Sequence, residues 1–290
     1  MNDWPKQRFV EVADGIVAAL NGNGEMGVAN AVFAIEDNKA LVIDTMTFPE
    51  MAQEMADQIT RRGANVEMVL NTHHHIDHIG GNKCFASAPI VGHPFSIQAL
   101  HNSTMPIAAF DKLMPRFSGR FANLDLVLPQ PNLDQLTPPH KGVPLVFTAA
   151  HTVRDIAVWF PESRTLVAGD LSFIGVTPLA LNGLLSGWID ALTALLELQP
   201  RIVIPGHGPL GTAQDLVVLR NYLRSVLATG QMAAQEGLTL RDALASFEAG
   251  PFSEWLENYR TTINIERAMQ EAFGQISRDD LSTPPPGMRH

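Results

Sequence analysis

Cysteine is almost missing from this chain, which has one cysteine, Cys84, in 290 residues. A single thiol excludes an intramolecular disulfide, and it excludes a zinc site built from several cysteine thiolates. We expect Cys84 to serve as a small buried hydrophobic residue. Basic residues are also few, since 20 lysines and arginines face 30 acidic residues and the net charge is −10. That balance, with no basic run, argues against a protein that binds nucleic acid through its phosphates.

Long apolar runs are absent as well. No stretch approaches the roughly 20 apolar residues that a membrane-spanning helix needs. The N-terminal sequence MNDWPKQRFVEVADGIVAAL lacks a basic segment followed by an unbroken apolar one, which is the pattern of a secretory signal peptide. We therefore expect a soluble, cytoplasmic protein with no membrane partner. Hydrophobic residues still make up 46% of the chain, enough for a large buried core.

Strand and helix patterns alternate through the first part of the chain. Two apolar stretches flank a turn at residues 36–38, and a helix pattern follows between Pro49 and Gly63. The sequence VEMVLNTH then predicts a short buried strand that runs into a turn rich in histidine. This alternation predicts an α/β layered fold.

The later part of the chain is less uniform. Residues 102–142 are rich in Pro, Phe and Met with weak periodicity, and they predict an excursion from the sheet. Strand patterns return before the helical patterns at 212–274, whereas the proline-rich tail 282–290 predicts disorder. No linker rich in Gly, Ser or Pro divides the chain, so a single domain over 1–290 is the simplest interpretation. The C-terminal helices are expected to pack on this domain or on a second subunit, which leaves a homo-oligomer open.

The sequence NTHHHIDHIGG, residues 71–81, places four histidines and an aspartate within six positions. Alternate residues of an extended backbone point to opposite sides, so His73 and His75 can face one cation while His74 points away. Imidazole pairs of this kind hold divalent cations of borderline softness. A surface loop that is rich in histidine by chance is the alternative.

Asp77 and His78 follow after the predicted strand has ended. On a turning backbone they can face a second cation beside the first, and Gly80 and Gly81 permit the tight geometry that this requires. A metal site also needs ligands from elsewhere in the chain, and their presence separates the two interpretations.

Three later residues supply such ligands, each at the end of a predicted strand. His151 follows PLVFTAA, Asp170 follows RTLVAG, and His207 follows RIVIPG. Functional side chains gather at strand ends in layered α/β folds. With the histidine turn they complete two ligand sets that Asp170 would bridge. The first set is His73, His75 and His151, and the second is Asp77, His78 and His207.

The pattern His73-x-His75-x-Asp77-His78, followed by His151, Asp170 and His207, resembles the metallo-β-lactamase fold superfamily. The sequences LVIDT, HTVRD, LVAGD and IPGHGP are also similar to that family's strand-end motifs, and the resemblance extends from about residue 8 to residue 212. It implies a four-layer αββα sandwich with a pair of zinc ions at one edge of the sheets, with iron or manganese as the alternative metals.

The resemblance further implies a metal-dependent hydrolase in which a hydroxide that bridges the metals attacks the substrate. Asp77 is then the catalytic residue that orients this nucleophile. Asp44, at the end of ALVID, is expected to orient a metal ligand, with a strand-end cap as the alternative. Asp155 in HTVRD is expected to act similarly.

The ligand pattern does not choose the substrate. The sequence LSFIGVTPLALNGLLSG after Asp170 and apolar residues of the excursion predict an apolar wall over the metals. Such a wall suits a small-molecule ester, thioester or lactone, although packing of the excursion onto the sheet is the alternative. The apolar residues of the excursion are Met105, Ile107, Phe110, Leu113, Met114, Phe117 and Phe121.

Other functions stay open on the same residues. Glyoxalase-II-like thioesterases and acyl-homoserine lactonases share the seven ligands, but their substrate-binding residues have no clear counterpart in this chain. Hydrolysis of β-lactam amides is a second alternative, and a persulfide-dioxygenase-like oxidoreductase with a single iron is a third. A catalytically inactive binding protein is disfavoured because all seven ligand positions are filled.

Overall fold

The computed structural model describes residues 6–102, 109–131 and 141–282. The strands within them are β1 (Arg8–Ala13), β2 (Ile16–Leu20), β3 (Ala31–Glu36), β4 (Lys39–Ile43), β5 (Asn65–Leu70), β6 (Ile90–Gly92), β7 (Gln130–Pro131), β8 (Val143–Thr148), β9 (Arg154–Phe160), β10 (Thr165–Phe173) and β11 (Ile202–His207). The helices are α1 (Pro49–Arg61), α2 (Ile76–Ile79), α3 (Pro94–Asn102), α4 (Phe110–Leu113), α5 (Leu185–Glu197), α6 (Ala213–Glu236), α7 (Leu240–Ser246), α8 (Arg260–Ala272) and α9 (Arg278–Ser282).

The described strands form two sheets. The first has the order β1-β2-β3-β4-β5-β6-β7, and the second has the order β11-β10-β9-β8. In the first sheet β1 to β4 are antiparallel, whereas β4, β5, β6 and β7 run parallel. In the second sheet β8, β9 and β10 are antiparallel and β11 runs parallel to β10. The predicted turn after β3 is formed by Asp37 and Asn38, whose φ values of 48° and 61° suit a two-residue hairpin.

Alternation along β2 shows why both faces of the first sheet are covered. Ile16, Ala18 and Leu20 point into the space between the two sheets. Val17 and Ala19 point the opposite way, into an apolar cluster outside the first sheet. Since both sets are buried, the sheet needs a layer on each side.

Three clusters of buried apolar side chains therefore separate four layers. The cluster between the sheets joins residues such as Val32 of β3 to Ile204 of β11. A second cluster packs α1 on the outer face of the first sheet around Met51. The third packs α5, α6 and α8 on the outer face of the second sheet around Trp188 and Leu223. This helix–sheet–sheet–helix order confirms the predicted αββα sandwich.

The long helices begin and end at the residues that local chemistry favours. α1 has Pro49 in its first turn, and Gly63 follows its end with a φ of 73°. α6 starts at a capping box in which the side chains of Thr212 and Asp215 bond each other's backbone N–H groups, and it stops at left-handed Gly237.

The described part of the excursion packs outside the first sheet. Met114, Phe117 and Phe121 are buried in the cluster under α1, and the Phe117 and Phe121 rings lie 5.3 and 5.1 Å from the ring of Phe48. Of the two alternatives for the excursion, these three residues follow packing onto the sheet, because they are buried on its outer face and not in a wall over the metals. Met105 and Ile107 lie outside the described residues.

Four smaller expectations have different outcomes. Cys84 is only partly buried at the margin of the same cluster, and burial raises the pKa of its thiol. Residues 283–290 of the predicted tail lie outside the described residues. No helix within the described ranges is long and apolar enough to cross a membrane. The single-domain interpretation stays a prediction.

Candidate metal centre

The seven predicted ligand residues lie together at one edge of the two sheets. Within each of two groups, every residue offers a ligand atom that lies within 4.8 Å of those of the other members. Four residues follow β5, and the others come from the β8–β9 connection, from β10 and from the end of β11. The first group is His73, His75, His151 and Asp170, and the second is Asp77, His78 and His207.

The histidine turn is tighter than the sequence predicts. β5 ends at Leu70, three residues before the predicted strand does, and α2 starts directly after His75. The strand ends early because the buried Asn71 side chain bonds the turn. Its amide donates to the carbonyl oxygen of His78 at 3.2 Å and to Asn82 Oδ1 at 3.1 Å. Asp77 and His78 consequently share one short helical turn.

Gly80 and Gly81 are required by a close approach of two backbones. A Cβ atom on Gly80 would lie 1.9 Å from the carbonyl oxygen of Thr47, and one on Gly81 would lie 2.0 Å from that of Thr45. Neither distance is tolerable for any side chain. The tight geometry expected here thus depends on the missing Cβ, since φ is −62° at Gly80 and −85° at Gly81.

Asp170 faces both groups with one carboxylate. Its Oδ2 lies 3.3 Å from His151 Nε2 and 3.8 Å from His73 Nε2. Its Oδ1 lies 3.0 Å from His78 Nε2 and 3.6 Å from His207 Nε2. Each oxygen thus serves a different group.

The donor atoms suit a divalent cation in each group. The Nε2 atom of His73 is buried and has no hydrogen-bond partner among the described residues. Buried polar atoms are nearly always hydrogen-bonded. A buried nitrogen without a partner, close to possible metal-ligand atoms of three other residues, therefore indicates that this nitrogen binds a metal ion. Imidazole nitrogens and carboxylate oxygens are the ligands that zinc and similar metals take in proteins.

Asp44 holds two of the ligand histidines. Its carboxylate accepts hydrogen bonds from the Thr72 backbone N–H, the Thr72 hydroxyl and Nδ1 of His78, each at 2.7 Å. The Thr72 hydroxyl oxygen in turn lies 3.0 Å from Nδ1 of His73. With Nδ1 engaged in this way, both rings present Nε2 to the centre.

Thr72 was missed in the sequence because nothing in NTH marks it as a partner of two ligands. Its place is fixed by Gly169, which has a φ of 52° and whose Cβ would lie 2.8 Å from the Thr72 hydroxyl oxygen. A side chain at Gly169 would push Thr72 away from both histidines.

Aromatic rings back two further ligands. The Phe173 ring stacks on His207 with a centroid distance of 5.0 Å and an interplanar angle of 9°. The Trp188 ring lies 4.9 Å from that of His151, and its Nε1 donates to the carbonyl oxygen of Leu171 at 3.0 Å. The apolar sequence after Asp170 therefore supports ligand rings and fills the core behind them.

Burial lowers the pKa of two histidines of the centre, whereas neighbouring carboxylates raise the pKa of a third. Burial lowers the pKa of His73 and of His151 well below its ordinary value, so both rings are neutral. Burial also disfavours the charged form of His78, but the neighbouring carboxylates of Asp170 and Asp44 outweigh it and raise its pKa well above the ordinary value.

The two carboxylates of the centre are ionised. Burial would raise the pKa of Asp77, but His207 and His78 outweigh it and lower the pKa below its usual range. For Asp170 burial is likewise outweighed by His78 and His207, and its pKa lies well below the ordinary value. Ionised carboxylates are the form that binds metal.

Two other residues from the sequence analysis lie beside the groups. His74 belongs to neither, and burial lowers its pKa to about 3. Asp155 accepts hydrogen bonds from the backbone N–H and the hydroxyl of Thr152, each at 2.9 Å, and burial raises its pKa to about 7. It shapes the turn that follows His151.

Asn182 is a further contact that the sequence did not indicate. Its Oδ1 lies 2.9 Å from Nε2 of His75, while Nδ1 of that ring lies 3.0 Å from His151 Nε2. No motif marks this asparagine, which lies in the loop between β10 and α5.

The sequence of this chain is similar to those of several hydrolases. A hydroxyacylglutathione hydrolase of Acaryochloris marina is 28% identical over 177 residues, which cover 58% of this chain and 60% of that protein. A metallo-beta-lactamase type 2 of Elizabethkingia meningoseptica is 28% identical over 197 residues, covering 64% of this chain and 71% of that protein. The matches to three hydroxyacylglutathione hydrolases span 54 to 60% of the length of those relatives.

Solved structures share the layer order. The metallo-beta-lactamase FIM-1 from Pseudomonas aeruginosa, in its mono-zinc form, aligns with a TM-score of 0.58 and 16% identity over 77% of this chain and 96% of that one. DIM-1 metallo-beta-lactamase aligns with a TM-score of 0.54 and 20% identity over 77% and 99%. A sequence model of the metallo-beta-lactamase superfamily matches residues 24–207, more than half of the 290 residues. The chain belongs to the metallo-β-lactamase superfamily.

Proposed function

We propose that this chain is a metal-dependent hydrolase that holds a zinc ion in each ligand group. The observation that carries the proposal is Asp170, whose two carboxylate oxygens face different groups at 3.0 to 3.8 Å. His73, His75 and His151 would hold one ion, and Asp77, His78 and His207 would hold the other, with Asp170 as the bridge. Membership of the superfamily and relatives named as hydrolases support the same reaction class.

The residues of the chain prepare this chemistry. Zinc bound here would act as a Lewis acid and lower the pKa of a bound water toward about 7. Asp77, buried and ionised, lies 3.3 Å from His207 Nε2 through its Oδ2 and is the catalytic residue that orients the attacking water by accepting its hydrogen bond. The water oxygen would bond to the carbonyl carbon, the bond from that carbon to the leaving group would break, and a proton of the attacking water would pass to the leaving group.

We infer an ester, thioester or lactone of a small, largely apolar molecule as the substrate, with thioesters first. The hydroxyacylglutathione hydrolases support a thioester, although they are matched over about 60% of their length. The apolar sequence on the C-terminal side of Asp170, with Leu181 46% exposed, supports an apolar substrate. A β-lactam is the second candidate, supported by the relative that is matched over 71% of its length.

The first test is the metal content of the purified protein by elemental mass spectrometry. We expect about two zinc equivalents per chain, with about one lost in each of His75→Ala and His207→Ala. His101→Ala, on an exposed residue of α3, is the matched control and should keep both. About one iron per chain that is insensitive to His207→Ala would overturn the proposal in favour of an iron oxidoreductase.

Substrate class is tested on the zinc-loaded protein with parallel panels of thioesters, esters, lactones and β-lactams. Thioester hydrolysis that disappears in His75→Ala and persists in His101→Ala supports the proposal. Turnover of β-lactams alone would overturn the thioester assignment and leave the metal assignment intact.

A further inference from the structure

His75 faces the first ligand group through Nδ1, whereas His73 uses Nε2. The difference follows from their partners, since Thr72 bonds Nδ1 of His73 and Asn182 lies 2.9 Å from Nε2 of His75. A neutral imidazole that donates through one nitrogen offers the lone pair of the other. Nδ1 of His75 lies 3.0 Å from His151 Nε2, so this lone pair points into the group.

We propose that Asn182 is a positioning residue for the metal centre. Its side-chain carbonyl accepts the Nε2–H of His75, fixes that tautomer and directs Nδ1 toward the ion held with His73 and His151. The inference rests on the proposed function, because it requires a metal in the first group. It adds a residue from the β10–α5 loop to a centre otherwise built from strand ends.

The loop that carries Asn182 is fixed against the turn that carries His151. A Cβ atom on Gly183 would lie 1.7 Å from the carbonyl oxygen of Ala150, so the two backbones touch. The backbone N–H of Leu184 donates to the carbonyl oxygens of Ala149 and Ala150 at 3.3 and 3.1 Å. Asn182 is therefore held in register with the ligand that lies next to His75.

Helix α8 holds the same loop from the other side. Four of its polar side chains, at helical spacing along one face, hydrogen-bond backbone atoms of residues 177–186. They are Arg260, Asn264, Arg267 and Glu271. The Arg267 Nε atom donates to the carbonyl oxygen of Gly183 at 2.9 Å, directly beside Asn182. Contact thus runs from α8 through the loop to His75.

Asn182 is itself exposed, so its replacement should leave the core intact. Asn182→Leu keeps the size of the side chain and removes the acceptor, whereas Asn182→Asp keeps an acceptor. Asn221→Leu, on the exposed surface of α6, is the matched control. In zinc-free protein, the unfolding midpoints of all three variants should equal that of the wild type.

The first readout is zinc affinity, measured by competition with a chromophoric chelator. Loss of an outer hydrogen-bond partner of a ligand histidine typically weakens metal binding by about 10- to 100-fold. We expect this loss in Asn182→Leu at one of the two sites, recovery in Asn182→Asp and no change in Asn221→Leu. Wild-type affinity in Asn182→Leu would overturn the proposal.

The second readout is the ring proton of His75 in zinc-free protein, followed by NMR with ¹⁵N-labelled histidine. We expect the proton on Nε2, in slow exchange in the wild type and in fast exchange in Asn182→Leu. A proton on Nδ1 in the wild type would overturn the proposal whatever the zinc result. A wild type that binds no zinc would overturn the proposed function, whereas normal wild-type binding with an unaffected Asn182→Leu would overturn the role of Asn182 alone.

Discussion

Asp44 contacts two of the predicted metal ligands, one of them through Thr72, with one carboxylate. It reaches His78 directly and His73 through the Thr72 hydroxyl, with each of its own contacts at 2.7 Å. Its φ of 62° places it in the left-handed region, a strained conformation for a residue with a side chain. Backbone strain of this kind is retained where the surrounding contacts fix the residue in place.

Replacing Asp44 with asparagine should weaken zinc binding. Asp44 Oδ1 bonds the Thr72 backbone N–H, and Oδ2 bonds both the Thr72 hydroxyl and the His78 Nδ1–H. An amide nitrogen accepts no hydrogen bond, so either the Oδ1 contact or both Oδ2 contacts are lost, and the neutral amide oxygen is a weaker acceptor than a carboxylate oxygen. We expect affinity at the His78 site to fall by about 10- to 100-fold in chelator competition. Asp57→Asn, on the exposed side of α1, is the control. Unchanged affinity in Asp44→Asn would show that Asp44 is only a strand-end cap.

Gly206 leaves space for the Asp170 carboxylate to face both ligand groups. A Cβ atom at this position would lie 1.9 Å from Asp170 Oδ1, so Gly206→Ala should displace the carboxylate from both groups. We expect zinc loss at both sites, measured as metal content after dialysis. In Gly175→Ala a Cβ meets nothing within 4 Å although φ is 68°, so that variant should lose about 1 kcal/mol of stability and keep its zinc. Full zinc content in Gly206→Ala would contradict a bridging role for Asp170.

For single residues, the sequence indicates those whose side chains can themselves bind a metal. Histidines and aspartates at strand ends can be found by type and spacing, and the structure brings all seven together. Thr72 and Asn182 could not be found in that way. They act through contacts with Asp44 and His75, which are 28 and 107 positions away in the chain. Only the fold creates such pairs.

Among the elements, α8 is distinguished by its buried polar face. Asn264 is fully buried, accepts from the Ala180 backbone N–H at 2.8 Å, and donates to the carbonyl oxygen of Pro178 and to the Tyr222 hydroxyl, both at 2.9 Å. A helix that bonds a loop in this way determines the conformation of the loop.

Asn264→Leu should destabilise the protein strongly. The substitution removes the partner of the buried Ala180 N–H and of the Pro178 carbonyl oxygen, whereas the Tyr222 hydroxyl keeps its contact with Thr261 at 3.1 Å. Each unpaired group costs about 1–3 kcal/mol before relaxation. We expect the free energy of unfolding to fall by about 2–4 kcal/mol in urea titrations. The same change at exposed Asn258 should cost less than about 0.5 kcal/mol. Equal effects at the two positions would show that the α8 face does not hold the loop.

Periodicity predicts the long elements of this chain well and the short ones poorly. α1 and α6 follow their helical patterns, and the hairpin at Asp37 and Asn38 follows its turn residues. α2, α7 and α9 are too short for a periodic pattern, and short helices depend on tertiary contacts for their stability. The two placements of the excursion stayed open in the sequence because apolar residues alone do not say which face of a sheet they cover.

For the molecule as a whole, the centre joins the two sheets. Its ligands come from the end of β5 in the first sheet and from β10 and β11 in the second. Metal bound by both sheets should resist their separation, so folding and metal binding are coupled.

Zinc should therefore raise the stability of the chain. Free zinc at about 100 times its dissociation constant adds about 2.7 kcal/mol when only the folded state binds. We expect a higher urea midpoint in excess zinc than in chelator. The double variant His75→Ala/His207→Ala should show a much smaller shift. Equal midpoints for the wild type in both buffers would contradict the coupling.

The contacts of α8 leave the amino-acid identity of some loop residues free to change. The four side chains bond backbone N–H and C=O groups of residues 177–186, and every amino acid except proline offers both. Exposed positions of the loop other than Asn182, such as Leu181, can therefore change identity without loosening the loop itself. Selection or directed evolution could alter the substrate range there while the catalytic geometry stays fixed.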